Sequence, residues 1–396
     1  MSTTHTFSRE LRLALLLVAG ATAVIVATEF IVVGLLPVLA RDLGRSLAET
    51  AWLVSAFALS AAIFGPPLTL LSGTQPPHRV LIAALMVFAV GNLAAVVQPT
   101  FPMLMAVRIV QGAALPVFIS VGAAAASAMA PPGRRGAALA MANTGFVIGL
   151  VVALPAGVAL AEGGAWWPSF AVLAALALMS AILIALRFPR SATEGESIGG
   201  HAALLLQPLF IGHLVLTVAV FATMFAGYTY LAAWLEATAG LRPFELALAL
   251  AGFSAVGLIG NALAARWAER IPLGSTIVAV LLLAITSAAV ISAEVPHLLL
   301  ILPFALWGIA HTACVTLCQI RVTLAGGPAP AFAMAMDILT ANIGIAIGAL
   351  AGGFIVDRWG MHAIGYGIIA FAAIVLVIAR IVEFMGQSTP CVQGRS

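Results

Sequence analysis

The run Leu13–Leu39, LALLLVAGATAVIVATEFIVVGLLPVL, decides how this chain is read. Its 27 residues hold a single ionisable group, Glu29. At ~1.5 Å per residue a helix of this length outruns the ~30 Å hydrocarbon core of a bilayer. Glu29 lies 16 residues past Leu13, roughly 24 Å along the helix, far from the first headgroup zone and short of the second. An acid at that depth costs on the order of 2.5–3.5 kcal/mol on insertion scales, so it persists where it does work. Arg9 and Arg12 precede the run and Ala21-Thr22-Ala23 looks like a cleavage site, but the apolar stretch continues past it. A membrane span rather than a cleaved signal peptide is expected.

The composition extends this reading to the whole chain. Of 396 residues, 63% are hydrophobic and 8% charged, with a mean hydropathy of +1.16. A soluble domain runs ~45–50% apolar and ~25% charged. Too few polar side chains remain to cover a water-facing surface, so the chain reads as an all-α, polytopic membrane protein. All 17 basic residues are Arg, and their spread is topological, so nucleic acid is not an expected partner. Cys314, Cys318 and Cys391 are too few for a disulfide framework.

Twelve apolar stretches of helical length follow one another, at about 13–39, 50–72, 80–98, 101–129, 137–160, 168–187, 208–234, 244–265, 272–292, 297–320, 331–356 and 361–382. Short Pro- and Gly-marked connections separate them, save for a polar linker of 188–207. This predicts a six-helix bundle at 1–187, a second at 208–384, and a tail of 385–396. With the N-terminus inside, twelve Arg fall on inner segments, Arg321 among them, and four on outer ones. The positive-inside rule then puts both termini in the cytoplasm.

The halves echo each other. Gly145 and Gly149 of the fifth span recur as Gly344 and Gly348 of the eleventh, at an offset of 199. Gly112 of the fourth span recurs as Gly308 of the tenth, at an offset of 196. A duplicated six-span unit predicts two pseudo-symmetric bundles and a transporter with its site at the midplane. The charge does not follow the repeat: position 304, opposite Arg108, is Phe.

The chain resembles the major facilitator superfamily, and within it the twelve-span drug:H+ antiporter branch near sugar- and arabinose-efflux members. Thr28-Glu29-Phe30 through Pro37 resembles a first-span signature of that branch. Arg108-Ile109-Val110-Gln111-Gly112 matches a fourth-span motif that the family links to proton coupling. Tyr228-Thr229-Tyr230, the loop from Gly260-Asn261 to Glu269-Arg270, and Asn342 through Gly348 resemble further family motifs. Two patterns depart from it. Ser72 to Arg79 lacks the Asp of the usual loop between spans two and three, which leaves Glu269 with Arg266 and Arg270 as the candidates for a charge latch in the second half. Ala153-Leu154-Pro155 has Ala where the fifth-span antiporter motif has Gly, which keeps proton-coupled uptake as an alternative to export.

Glu29 and Arg108 sit at comparable depths, and the resemblance puts their spans on the central cavity. Burial and a nearby guanidinium act oppositely on a carboxyl's hold on its proton, so a change in distance or wetting loads or releases it. The expectation is that Glu29 carries the proton and Arg108 tunes it, with a permanent structural ion pair as the alternative. Asp337, shallower in the eleventh span, is a possible second carboxylate or a charge capping the inner rim. Expected substrate contacts are Phe118, Asn143, Phe225, Tyr228, Trp307, His311 and Asn342; packing or helix stapling is the alternative reading for each. His311, Cys314 and Cys318 share a stripe, but helical spacing alone makes such stripes, and no metal is expected. Gly112, Gly145, Gly149, Pro155, Gly344 and Gly348 read as close-packing and conformational positions.

No nucleophile–base pair or phosphate loop suggests an enzyme. The expected activity is proton-coupled export of a small organic substrate by alternating access, driven by the proton gradient without a cofactor. The setting is a bacterial inner membrane and the protein a monomer, whose partners are substrate, protons and lipid. A non-transporting receptor on the same scaffold is the alternative of another class. Cavity acids suit a cationic drug; Asn, Tyr, Thr and His suit a sugar or nucleoside.

Overall fold

The computed structural model describes residues 7–73, 75–131, 134–161, 163–190, 203–268, 271–292, 297–327 and 329–387, and among them every regular element is helical. In order these are α1 (Arg9–Asp42), α2 (Leu47–Ser72), α3 (Pro77–Val97), α4 (Phe101–Met129), α5 (Arg135–Leu160), α6 (Trp167–Arg187), α7 (Pro208–Tyr228), α8 (Leu231–Ala237), α9 (Pro243–Ala268), α10 (Pro272–Ser292), α11 (His297–Ala325), α12 (Pro330–Trp359) and α13 (Ile364–Gln387). Among the described residues twelve stretches are long and apolar enough to cross a membrane, and they match the twelve expected ones. The seventh combines α7 and α8, because the helix breaks at Thr229-Tyr230. Most of the polar linker (191–202) and the end of the tail (388–396) lie outside the described residues.

Local chemistry sets the helix ends. Ser46 caps α2 by accepting from the Glu49 amide at 3.0 Å, while the Ser46 amide donates to the Glu49 carboxylate at 2.9 Å. That reciprocal pair satisfies two amides that a helix start leaves open. Proline opens α3, α7, α9, α10 and α12, where its missing N–H has no helical partner to lose. The turn from α1 to α2 needs a left-handed residue, supplied by Gly44 at φ +61°. On the outer faces, Val97 is 75% and Leu298 77% exposed, a surface that suits lipid rather than water.

The chain forms two compact units, residues 1–197 with 229–254, and residues 198–228 with 255–396. In the first, α1 packs on α5, and α3 on α4 and α6; in the second, α7 packs on α12, and α10 on α11 and α13. The helices repeat as well. α2 and α9 have 26 residues each and start 196 positions apart, α4 and α11 have 29 each at 196, and α3 and α10 have 21 each at 195.

The paired glycines explain why the repeat is legible. A methyl at Gly149 would meet the Ala23 carbonyl oxygen of α1 at 2.6 Å, and one at Gly348 the Ala222 carbonyl oxygen of α7 at 2.5 Å. Gly145 faces the Ala19 carbonyl even more closely, and Gly344 faces that of Val218 at 2.5 Å. Both contact pairs keep the offset of 199. Only a residue without a side chain lets these backbones approach so closely. Gly112 does the same against the Phe57 carbonyl of α2.

Candidate functional site

In the first unit the fully buried Arg108 reaches from α4 to two other helices. Its Nε donates to the Leu53 carbonyl at 3.0 Å, Nη1 to the Thr28 carbonyl at 2.7 Å and Nη2 to the Glu29 carbonyl at 2.8 Å. The guanidinium also lies over the Phe57 ring, 4.1 Å from its centroid, a favourable place for a cation on a π face. The sequence reading brings Glu29 and Arg108 together, and the structure does so through the backbone. Among the described residues the Glu29 carboxylate makes no hydrogen bond, and the four ion pairs do not include it. Arg108 is therefore a fixed field source beside Glu29, held by atoms that carry no proton. Glu29 can change charge without breaking any of those bonds.

A neutral chain of hydrogen bonds backs this centre. Gln111 donates to Asn92 at 3.0 Å, Asn92 donates to the Thr28 hydroxyl at 3.4 Å, and that hydroxyl donates to the Val24 carbonyl at 2.9 Å. These links tie α1, α3 and α4 at the level of Glu29. The buried Gln111 Oε1 has no partner among the described residues.

In the second unit four of the expected substrate residues gather. The Tyr228 and His311 ring centroids lie 4.3 Å apart, and Phe225 meets Tyr228 at 5.5 Å and His311 at 5.8 Å. Trp307 is buried and lies beside Gly227, at the end of α7 where the helix breaks. Asn342 of α12 donates to the Ile338 carbonyl at 2.9 Å, and its buried Oδ1 has no partner among the described residues.

Asp337 is buried at the other end of that unit, near the start of α12. It accepts from the Thr217 hydroxyl at 3.2 Å. The same hydroxyl accepts from Arg321 at 3.0 Å. Arg321 belongs to α11, which runs five residues past the expected end of the tenth span, and it is 1% exposed. The expectation of an inner-loop arginine is corrected here: polar groups of α7 receive it inside the fold.

The remaining expected residues disperse. Phe118 is fully buried within the apolar core of the first unit, among Leu85, Phe88 and Leu115. Asn143 lies on α5, but its side chain falls outside the described residues. Pro155 is internal to α5 and Arg266 is exposed in the last turn of α9. Glu269 and Arg270, the rest of the expected latch, lie outside the described residues. The sequence reading missed Asn92, His213 and Thr217, and named Gln111 only within the fourth-span motif. For Asn92 and Gln111 the available signal was an uncharged amide inside an apolar run.

At the end of α1, about 12 Å beyond Glu29, Pro37, Ala40, Arg41, Leu47 and Glu236 line a cavity of about 480 Å³. Arg41 and Glu236 form an ion pair there.

Two repeats of six membrane-crossing stretches, each carrying a buried acid and a buried arginine, define a secondary transporter. The chain belongs to the Major Facilitator Superfamily, which it matches over residues 18–328. It is 29% identical over 364 residues to the inner membrane transport protein YdhP of Escherichia coli O157:H7, covering 90% of this chain and 92% of that one. It is 30% identical over 344 residues to the chloramphenicol resistance protein of Streptomyces lividans, covering 85% and 88%. Among solved structures, an inward-facing bacterial homologue of the human lysosomal transporter Spinster superposes with a TM-score of 0.78 over 96% of this chain and 98% of that one. The nucleoside transporter NupG superposes at 0.74 over 95% and 99%. At 14% identity, both likenesses speak for the fold alone. The protein is thus a multi-pass membrane transporter rather than an enzyme, of a superfamily that needs no cofactor.

Proposed function

We propose that the protein exports a small organic molecule from the bacterial cytoplasm in exchange for protons, with both termini cytoplasmic and Glu29 as the proton carrier. The observation that carries this is a Glu29 carboxyl that makes no hydrogen bond among the described residues, beside a guanidinium whose hydrogen bonds all go to backbone carbonyls. A carboxyl in a salt bridge must break it to take up a proton; this one need not. The field of Arg108 favours the ionised form and burial favours the neutral one, so alternating access to water on the two sides tips the balance.

The substrate is read from the second unit. Phe225, Tyr228, His311 and Trp307 offer aromatic faces, and the Asn342 Oδ1 offers an acceptor for a hydroxyl. A neutral molecule with a ring and hydroxyls fits that set, and the chloramphenicol resistance relative points the same way. The test uses chloramphenicol as probe in proteoliposomes with an imposed pH gradient. Wild type is expected to move it against the proton flow, and Glu29→Gln to lose the gradient-driven part. Full gradient-driven flux by Glu29→Gln sinks the role of Glu29. Flux along with the protons means uptake, and no flux despite binding means a receptor.

A further inference from the structure

The Glu29 centre leaves the buried group at the opposite end of the second unit unexplained. There α7 supplies His213 and Thr217, α11 supplies Cys318 and Arg321, and α12 supplies Asp337. Arg321 Nη1 donates to the His213 Nδ1 and carbonyl oxygen, both at 2.9 Å. Its Nη2 donates to the Thr217 hydroxyl at 3.0 Å and to the Cys318 Sγ at 3.6 Å. Its buried Nε has no partner among the described residues. Because Nδ1 of His213 accepts from a guanidinium, the imidazole is the neutral tautomer with its proton on Nε2. α13 adds to this end only Arg380 and Glu383, which pair with each other at the surface at 2.7 Å.

What Arg321 does not do is the informative point. A guanidinium beside a buried carboxylate normally closes a two-pronged ion pair on it. Here it spends its donors on a ring nitrogen, a carbonyl, a hydroxyl and a thiol, all neutral. Asp337 is reached only through Thr217, and among the described residues no ion pair of Arg321 or Asp337 is formed. An ionised carboxylate buried with one hydroxyl donor is poorly compensated. A protonated one carries no charge to compensate, and it leaves Arg321 free to bond elsewhere.

We propose that Asp337 is a second proton-binding site, in which the carboxyl carries its proton while Arg321 is seated on His213 and Thr217. Release breaks one O–H bond, sends the proton to water and leaves a carboxylate. Arg321, with Nε–H unused, then turns toward that carboxylate. His213 is only partly buried and gives the exchange its opening to water. A metal ion is a poor alternative occupant, because Arg321 repels it and no cluster of three His, Cys, Asp or Glu side chains exists among the described residues. The site does not depend on the role of Glu29.

The sequence makes the test direct. It contains three aspartates: Asp42 and Asp357, both exposed, and the buried Asp337. Protein grown with carboxyl-¹³C aspartate and reconstituted in lipid gives three side-chain resonances to follow from about pH 4 to about pH 9. The expected result is a distinct third titration that is lost in Asp337→Asn, displaced in midpoint in Thr217→Val, and retained in Glu29→Gln. A third resonance that stays constant across the range overturns the proposal. So does one that titrates identically in wild type and Thr217→Val. Should Asp337→Asn fail to fold, assignment passes to Thr217→Val, which keeps the carboxyl and removes only the hydroxyl. Because Glu29→Gln is read by the same signal, a failure of the Glu29 reading leaves this result standing, and the reverse also holds.

Discussion

Glu29 of the first unit and Tyr228 of the second stand 199 positions apart, the offset that also links the α1 and α7 backbones under the paired glycines. Where one repeat has a carboxyl, the other has a phenol against an imidazole. Arg108 corresponds to Phe304 at the helix offset of 196. The polar end of the second unit reverses the pattern. His213, Thr217, Arg321 and Asp337 correspond to Ala14, Val18, Ala125 and Ala138, all in the apolar core of the first unit. The two repeats share the lengths of three helix pairs and their close approaches, but no buried charge at corresponding positions. Backbone packing tolerates few alternatives once a glycine lies against a carbonyl, whereas a polar group needs only partners of its own. Chemistry was therefore free to diverge where packing was not.

That contrast can be broken most sharply at its opening pair. Glu29→Gln should lower gradient-driven flux at least ~100-fold, equivalent to about 2.7 kcal/mol in the barrier. Tyr228→Phe should lower it less than ~10-fold, since ring and burial survive. Initial rates in proteoliposomes decide this, and equal losses would mean the two places do the same work.

The arginines offer a second comparison. Lysine lacks the planar fork that reaches three carbonyls, so Arg108→Lys should destabilise the fold by ~2–4 kcal/mol. Arg321→Lys should cost less, ~1–2 kcal/mol, because one of its donors is already idle. Unfolding of purified protein in mild detergent ranks the two; the reverse order contradicts the anchoring assigned to Arg108.

The glycines should behave more alike. Gly145→Ala and Gly344→Ala each force a methyl onto a carbonyl and should cost ~1–3 kcal/mol, with Gly145 the more sensitive because its contact is the closer. Thermal midpoints test the order.

The smallest effect lies at Asn92 and Ser287, matched at the α3–α10 offset of 195. Asn92 bonds across helices, while Ser287 bonds the Leu283 carbonyl of its own helix at 2.6 Å. Asn92→Ala should cost ~0.6–1.7 kcal/mol by the scale of interhelical bonds in membranes, and Ser287→Ala close to nothing. Comparable losses would remove Asn92 from the network behind Glu29.

Much of the architecture was legible in the residues. Apolar runs of helical length need no tertiary knowledge, and Gly145, Gly149, Gly344 and Gly348 mark backbone contact wherever they occur. The break after Tyr228 was not legible, because Thr229-Tyr230 carries no proline to announce it. Arg321 reads as an inner-loop residue because a polar residue near a helix end has the composition of either. The partners of Arg108 were hidden for another reason. Main-chain carbonyls exist at every residue, so no letter of the sequence distinguishes those that bind a guanidinium. Phe118 shows the opposite difficulty: an aromatic side chain reads the same whether it will line a cavity or fill a core.

The acceptors of Arg108 also bear on how the protein is made. Chains emerge from the N-terminus onward, and a lone arginine inside a bilayer is costly. Leu53, Thr28 and Glu29 all precede Arg108, so the helices that receive it exist before it enters the membrane. His213 and Thr217 likewise precede Arg321, while Asp337 follows it. Each arginine is thus delivered into a berth already built. A deletion that removes α1 should leave α4 stranded at the insertion machinery, a defect of biogenesis rather than of transport.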